Sequence, residues 1–251
     1  FEYFECIFYG MFNVKKKVFT QRFLFSKFFC VFLLIFILIG LTSCRDYEKL
    51  GKDALEIGDY ARAELFFDKA LDKNPKSRDS RYGNALAKYG LAEELERTGI
   101  ISVEHWQRSA NEFRILFHLD SSFSVRSIYS NCLFYLARSV MFKSPDADIS
   151  DLLKRSIALD SMNYFAYNLK ALLHESQGDF NAAEETFIYM LSRFPEFEIG
   201  YLNFGNYYWK RELVGDAWDI WSMGLERFPN HEELKYWTKK AEEILSKEIQ
   251  K

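Results

Sequence analysis

A pattern that returns after thirty-four residues constrains this chain more than any other feature in it. Counted from Tyr164, positions 4, 8, 20, 24 and 32 hold Tyr167, Ala171, Ala183, Phe187 and Pro195, with Gly178-Asp179-Phe180 between them. Counted from Glu198, the same positions hold Tyr201, Gly205, Ala217, Trp221 and Pro229, with Glu212-Leu213-Val214 between. A period of this length signals one supersecondary unit used repeatedly. Small residues at positions 8 and 20 let two helix backbones approach, and the aromatics at 4 and 24 fill the space beside that contact. Proline at 32 lacks an N–H and clashes inside a helix, so it marks where the second helix stops. One such unit cannot bury its apolar face alone; stacking supplies the missing surface.

This spacing resembles the tetratricopeptide repeat, in which two antiparallel helices form a unit and units stack. The resemblance implies an all-α, right-handed helical-repeat solenoid of about five helix pairs with a C-terminal capping helix. A first unit counted from Cys44 fits through Tyr47, Gly51, Gly58-Asp59-Tyr60, Ala63, Phe67, Ala70 and Pro75, with Ala54 where the family usually has an aromatic. The solenoid is expected over 44–231 and is irregular at 76–160. There a long first helix is expected over Lys76–Thr98 and a second over His105–Leu119 with Ser109, Phe113 and Leu116 in packing positions; a third pair follows at Ser124–Phe142 and Ile149–Leu159. Ser127, Ser130 and Asn131 match no position of the family pattern, so the register of 124–142 stays open. At 232–251 Leu234, Trp237, Ala241, Ile244 and Leu245 form one apolar face at spacings of three and four, a closing helix with a polar outer side.

The N-terminal part reads as an export signal. Residues 1–10 lack an initiator and a pattern and are expected not to belong to the native protein, with translation starting at Met11. Lys15, Lys16, Lys17, Arg22 and Lys27 form a basic leader ahead of the uncharged apolar run Phe28–Leu41. Leu41-Thr42-Ser43-Cys44 then resembles a bacterial lipobox, which implies a lipoprotein signal peptide over 11–43 and diacylglycerol on Cys44. A retained single-span anchor would have to fit the seventeen residues between Lys27 and Arg45, about 25 Å of helix against a hydrocarbon core of about 30 Å. Of the four cysteines, only Cys132 would remain a thiol, so no internal disulfide is expected. Residues 44–251 carry 28 basic and 34 acidic side chains, a balance of −6 that argues against nucleic acid as the partner.

Chemistry-bearing motifs are sparse. His105, His118, His174 and His231 lie far apart without metal-ligand spacing, and His174-Glu175 lacks the second histidine of a zinc-protease helix. There is no Gly-rich phosphate loop and no nucleophile elbow. Neither an enzyme nor a metal or cofactor is therefore expected.

In the resembled family, positions 2, 5, 9, 12 and 13 of each first helix line a groove that takes extended peptides or helices. Here those positions give Tyr82, Leu86 and Tyr89, then Phe165, Asn168, Leu172 and Glu175, then Ile199, Leu202, Asn206, Trp209 and Lys210. The resemblance thus implies an apolar groove for a protein partner, with Asn168 and Asn206 able to bond a backbone. In a competing arrangement the closing helix fills the C-terminal part of the groove and packs over Trp209. Lipid at Cys44 would hold the molecule at a bacterial envelope membrane, on the periplasmic face of the outer membrane or at the cell surface. The layout resembles, in outline only, the accessory subunit of the outer-membrane β-barrel assembly machine and the pilotins of type IV pili. A nutrient-capture or ligand-binding lipoprotein is one alternative, and an enzyme is the other.

Overall fold

The computed structural model describes residues 46–249, and from Glu48 onward the chain forms one compact unit. The leader, the lipobox and Cys44 lie outside the described residues, as do the last two positions of the closing segment. Among the described residues there are eleven helices and no strand: α1 (Tyr47–Glu56), α2 (Tyr60–Lys73), α3 (Arg78–Arg97), α4 (Val103–Leu119), α5 (Phe123–Lys143), α6 (Ser150–Leu159), α7 (Tyr164–Ser176), α8 (Phe180–Arg193), α9 (Glu198–Trp209), α10 (Val214–Arg227) and α11 (Glu232–Ile249). They form five consecutive pairs and a closing helix, each packed on its chain neighbour.

Local chemistry sets the helix limits. Asp59 and Asp179 accept from the backbone N–H groups of Arg62 and Ala182, at 3.0 and 3.2 Å, capping α2 and α8. Ser77, Ser102 and Asn163 do the same for α3, α4 and α7. Between the helices of the first and fourth pairs, Gly58 and Gly178 adopt φ of 74° and 78°, the left-handed turn that favours glycine. In the fifth pair Glu212 takes that position at φ 62°.

The repeat positions do what their spacing implies. The position-24 aromatics Phe67, Phe113, Phe187 and Trp221 are fully buried, as are Ala63, Ala183 and Ala217 at position 20. At this position in the second pair stands Ser109, whose Oγ–H donates to the Ala85 carbonyl at 3.2 Å, so a hydroxyl can occupy the crossing without losing its partner. The third pair departs from the rule. Helix α6 has ten residues where α8 and α10 have fourteen, and Ile149, Leu153 and Ala137 fill the contact instead.

The polar residues that matched no family position have a structural task. Ser130 and Ser156 hydroxyls lie 3.0 Å apart, and each hydroxyl also donates to the other residue's carbonyl group. Asn163 Nδ2 donates to Ser130 Oγ at 2.8 Å and to Asn131 Oδ1 at 3.1 Å. Ser127 Oγ–H donates to Asp160 at 2.9 Å. This network joins α5, the end of α6 and the start of α7 through side-chain hydrogen bonds.

Candidate functional site

The first helices of successive pairs approach one another, α5 on α7 and α7 on α9, more closely than the second helices do. At the N-terminal end Ser80 Oγ–H of α3 donates to Glu48 of α1 at 2.7 Å. Between α3 and α5, Glu96 accepts from Ser139 at 3.2 Å and from Trp106 Nε1 at 2.7 Å, and pairs with Arg138. The first helices therefore form the inner side of the stack, and the groove positions read from the sequence fall on them.

On α3, Tyr82, Leu86 and Tyr89 are half-buried against the aromatic core of the second and third pairs. The Tyr89 ring stands edge-on to Trp106 at 5.0 Å and Tyr135 at 6.0 Å. Burial pushes its hydroxyl far above the ordinary tyrosine range. Tyr89 is thus a core residue that shows one edge, rather than an open groove wall. On α5, Arg138 lies over the Tyr135 ring at 4.8 Å, which continues the surface with a cation already engaged by Glu96.

On α7 the arrangement opens. Phe165 is 37% exposed, and three neighbours fix its ring: Phe134 at 5.6 Å, Phe197 at 5.4 Å and Tyr164 at 4.5 Å. Asn168 Oδ1 accepts from Asn203 Nδ2 of α9 at 3.0 Å, which leaves the Asn168 NH₂ and the Asn203 carbonyl group for other partners. Leu172 is half-buried against the core of the last two pairs. On α9, Ile199 is 43% exposed, and the Asn206 side-chain amide makes no hydrogen bond among the described residues.

Two residues assigned to the groove lie elsewhere. Leu202 is buried in the core at 7% exposure, and its carbonyl accepts from Trp221 Nε1 at 3.3 Å. Trp209 packs 5.6 Å from both Trp221 and Trp237 of α11, with the Lys240 ammonium 5.4 Å from its ring centre. The closing helix therefore covers Trp209, the competing arrangement of the sequence reading. Its apolar face needs a partner, and the indole supplies the largest one within reach. Beside it Glu175 holds Lys210 at 3.2 Å and Arg211 at 3.9 Å, and the Arg211 guanidinium sits between the Phe180 and Tyr207 rings at 3.9 and 3.7 Å. Glu175, Lys210 and Arg211 are thus paired within the fold.

The sequence reading missed Asn131 and Asn203. With Asn168 and Asn206 they place side-chain amides on three successive first helices, α5, α7 and α9. Asparagine recurs within α5, α7 and α9, but the open register of α5 hid Asn131, and Asn203 sits one position beyond the family's groove position. Among the described residues no group of three or more His, Cys, Asp or Glu side chains is placed to hold a metal ion, and no helix is long and apolar enough to cross a membrane.

Comparison with known proteins bears on the fold. No protein-family model and no curated protein matches this chain. Among solved structures, MamA superposes with a TM-score of 0.54 at 19% identity, covering 72% of this chain and 95% of its own. YrrB, described as a TPR protein with an unusual peptide-binding site, gives 0.53 at 15% identity, covering 77% and 90%. The assembly chaperone of RpL4, Acl4, gives 0.55 at 15% identity, covering 81% and 83%. At such identities the likeness establishes architecture alone: the chain has the tetratricopeptide-like solenoid fold.

Proposed function

We propose that this protein is a membrane-anchored lipoprotein scaffold whose inner face binds a polypeptide partner, in the assembly of a bacterial envelope complex. The observation that carries the binding claim is the surface on α7 and α9. Phe165 and Ile199 stay exposed there beside Asn168, Asn203 and Asn206, whose amides retain unused donors and acceptors. An extended segment presents alternating N–H and C=O groups, which amides can match in either direction. Its apolar side chains would cover Phe165 and Ile199. Neighbours of the same fold support this reading, since one is described by its peptide-binding site and another as an assembly chaperone. Anchoring rests on the leader and on Leu41-Thr42-Ser43-Cys44. Acyl chains bury methylenes at about 0.8 kcal/mol each, so two or more make attachment effectively permanent.

Two experiments test the two halves separately. A photo-crosslinker at Ile199 should trap a discrete partner in the native envelope, whereas one at Ile188, 54% exposed on the second helix α8, should not. Equal yields from both positions would remove the case for the inner face. For anchoring, the wild-type chain should incorporate a fatty-acid probe and Cys44→Ala should not; a wild-type chain that takes up no probe would rule out lipidation.

A further inference from the structure

On α4, α5 and α6, three arginines converge on one cleft. Arg114, Arg126 and Arg155 line a concavity of about 440 Å³ with His118, and none of its lining residues is acidic. That volume is within the roughly 300–1,000 Å³ of small-molecule sites. The concentration of positive charge is notable in a chain whose net charge is −3. Two of the guanidinium groups are held in place: Arg155 Nη2 donates to the Tyr129 hydroxyl at 2.7 Å, and Arg126 Nη2 donates to the Ala158 carbonyl at 3.5 Å. Arg155 also meets Asp151 at 3.5 Å, a carboxylate that is 79% exposed and offsets little of the charge. Arg114 has no ion pair and no hydrogen bond among the described residues; burial holds the Tyr129 hydroxyl above the ordinary tyrosine range, and the charges of Arg155 and Arg114 oppose that rise. Phe117 and Tyr129 rings lie 6.2 Å apart and, with Leu159, give the cleft an apolar side.

We propose that this cleft binds a small phosphate monoester carried on a flat apolar group. Guanidinium forks match phosphate oxygens in a bidentate way, and their planes, like the Phe117 ring, accept a flat ring in stacking contact. Three cations in a lining without an acidic residue suit a dianion better than a single carboxylate. The residues belong to elements other than the α7–α9 surface, so this site stands or falls independently of partner binding.

Phenyl phosphate serves as the probe, titrated calorimetrically into the purified full-length chain at about physiological salt, where non-specific attraction is screened beyond roughly 8 Å. Saturable binding is expected, with benzyl alcohol giving none. Arg114→Ala should weaken it by about tenfold, the loss of one charge-assisted hydrogen bond. Arg114 and Arg126 are exposed, so their replacement should leave the melting curve in place, and the double variant R114A/R126A should abolish the heat. Lack of saturable binding by the wild type, equal binding by the double variant, or equal binding of benzyl alcohol would each overturn the proposal.

Discussion

Replacing Gly205 with alanine adds one methyl group at the most crowded point of the fifth pair. A Cβ there would lie 2.1 Å from Trp221 Nε1 and 2.4 and 2.5 Å from two ring carbons, where ordinary contact begins at 3.4 Å. The indole would have to retreat by about 1.3 Å to restore contact. It has nowhere to go: Trp221 is fully buried, Trp209 and Trp237 stand 5.6 and 5.4 Å from it, and its Nε1–H donates to the Leu202 carbonyl at 3.3 Å. Overpacking of this kind costs about 1–3 kcal/mol, and a disturbed buried hydrogen bond adds about 1 kcal/mol. Alanine's better helix propensity returns about 1 kcal/mol, which leaves a net loss of about 2 kcal/mol. For a domain of this size that lowers the melting temperature by about 4–8 °C. Gly215→Ala is the control, because a Cβ there meets nothing within 4 Å, and the same change should stabilise by about 0.5 kcal/mol. Thermal unfolding followed by tryptophan fluorescence and far-UV circular dichroism reads both variants. Shifts of the same sign would refute the claim that Trp221 is wedged against the α9 backbone.

Glu212→Gly should raise stability by about 1 kcal/mol, since Glu212 holds φ 62° where the first and fourth pairs use glycine; no change in denaturant midpoint would deny the strain. Trp209→Ala should cost about 2 kcal/mol, less than the full burial cost because the ring is only half-buried, while leaving Ile199 crosslinking by the folded protein intact. Loss of crosslinking without loss of stability would return Trp209 to the groove. Burial pushes the Cys132 thiol up to about 12, so a thiol reagent at pH 8 should label it only on unfolding. The raised value contributes stability that is present below pH 9, the ordinary thiol value, and is lost as pH rises from there toward the folded value, because the unfolded chain ionises first. Stability that rises over that interval would contradict the burial.

Much of the candidate site was open to reading at the level of which helices form it, and less so at the level of which side chains it exposes. Phe165 and Asn168 are placed on the inner face by the groove positions of the resembled family, and the structure leaves both on α7 with Phe165 exposed. Trp209 is placed there too. Its position on α9 is right for the inner face, but whether that face stays open depends on where α11 comes to rest, and α11 lies beyond the repeat. Asn131 was hidden for another reason. Helix α5 is 21 residues long, so counting from either end gives a different register.

The thirty-four-residue period determined the helix pairs of the first, fourth and fifth units, their order and the residues at their crossings, because those depend on contacts within one unit or between adjacent ones. The caps at Asp59 and Asp179 and the turns at Gly58 and Gly178 are likewise local chemistry, visible in a few neighbouring residues. Only the tertiary structure decided the rest. The Ser130–Ser156–Asn163 network, the packing of Trp209 and Trp221 against Trp237 of the closing helix and the three arginines of the α4–α6 cleft join side chains from different helices. No periodicity encodes such meetings. They follow from how far one helix slides and rotates on the next, which is set by the summed packing of whole faces.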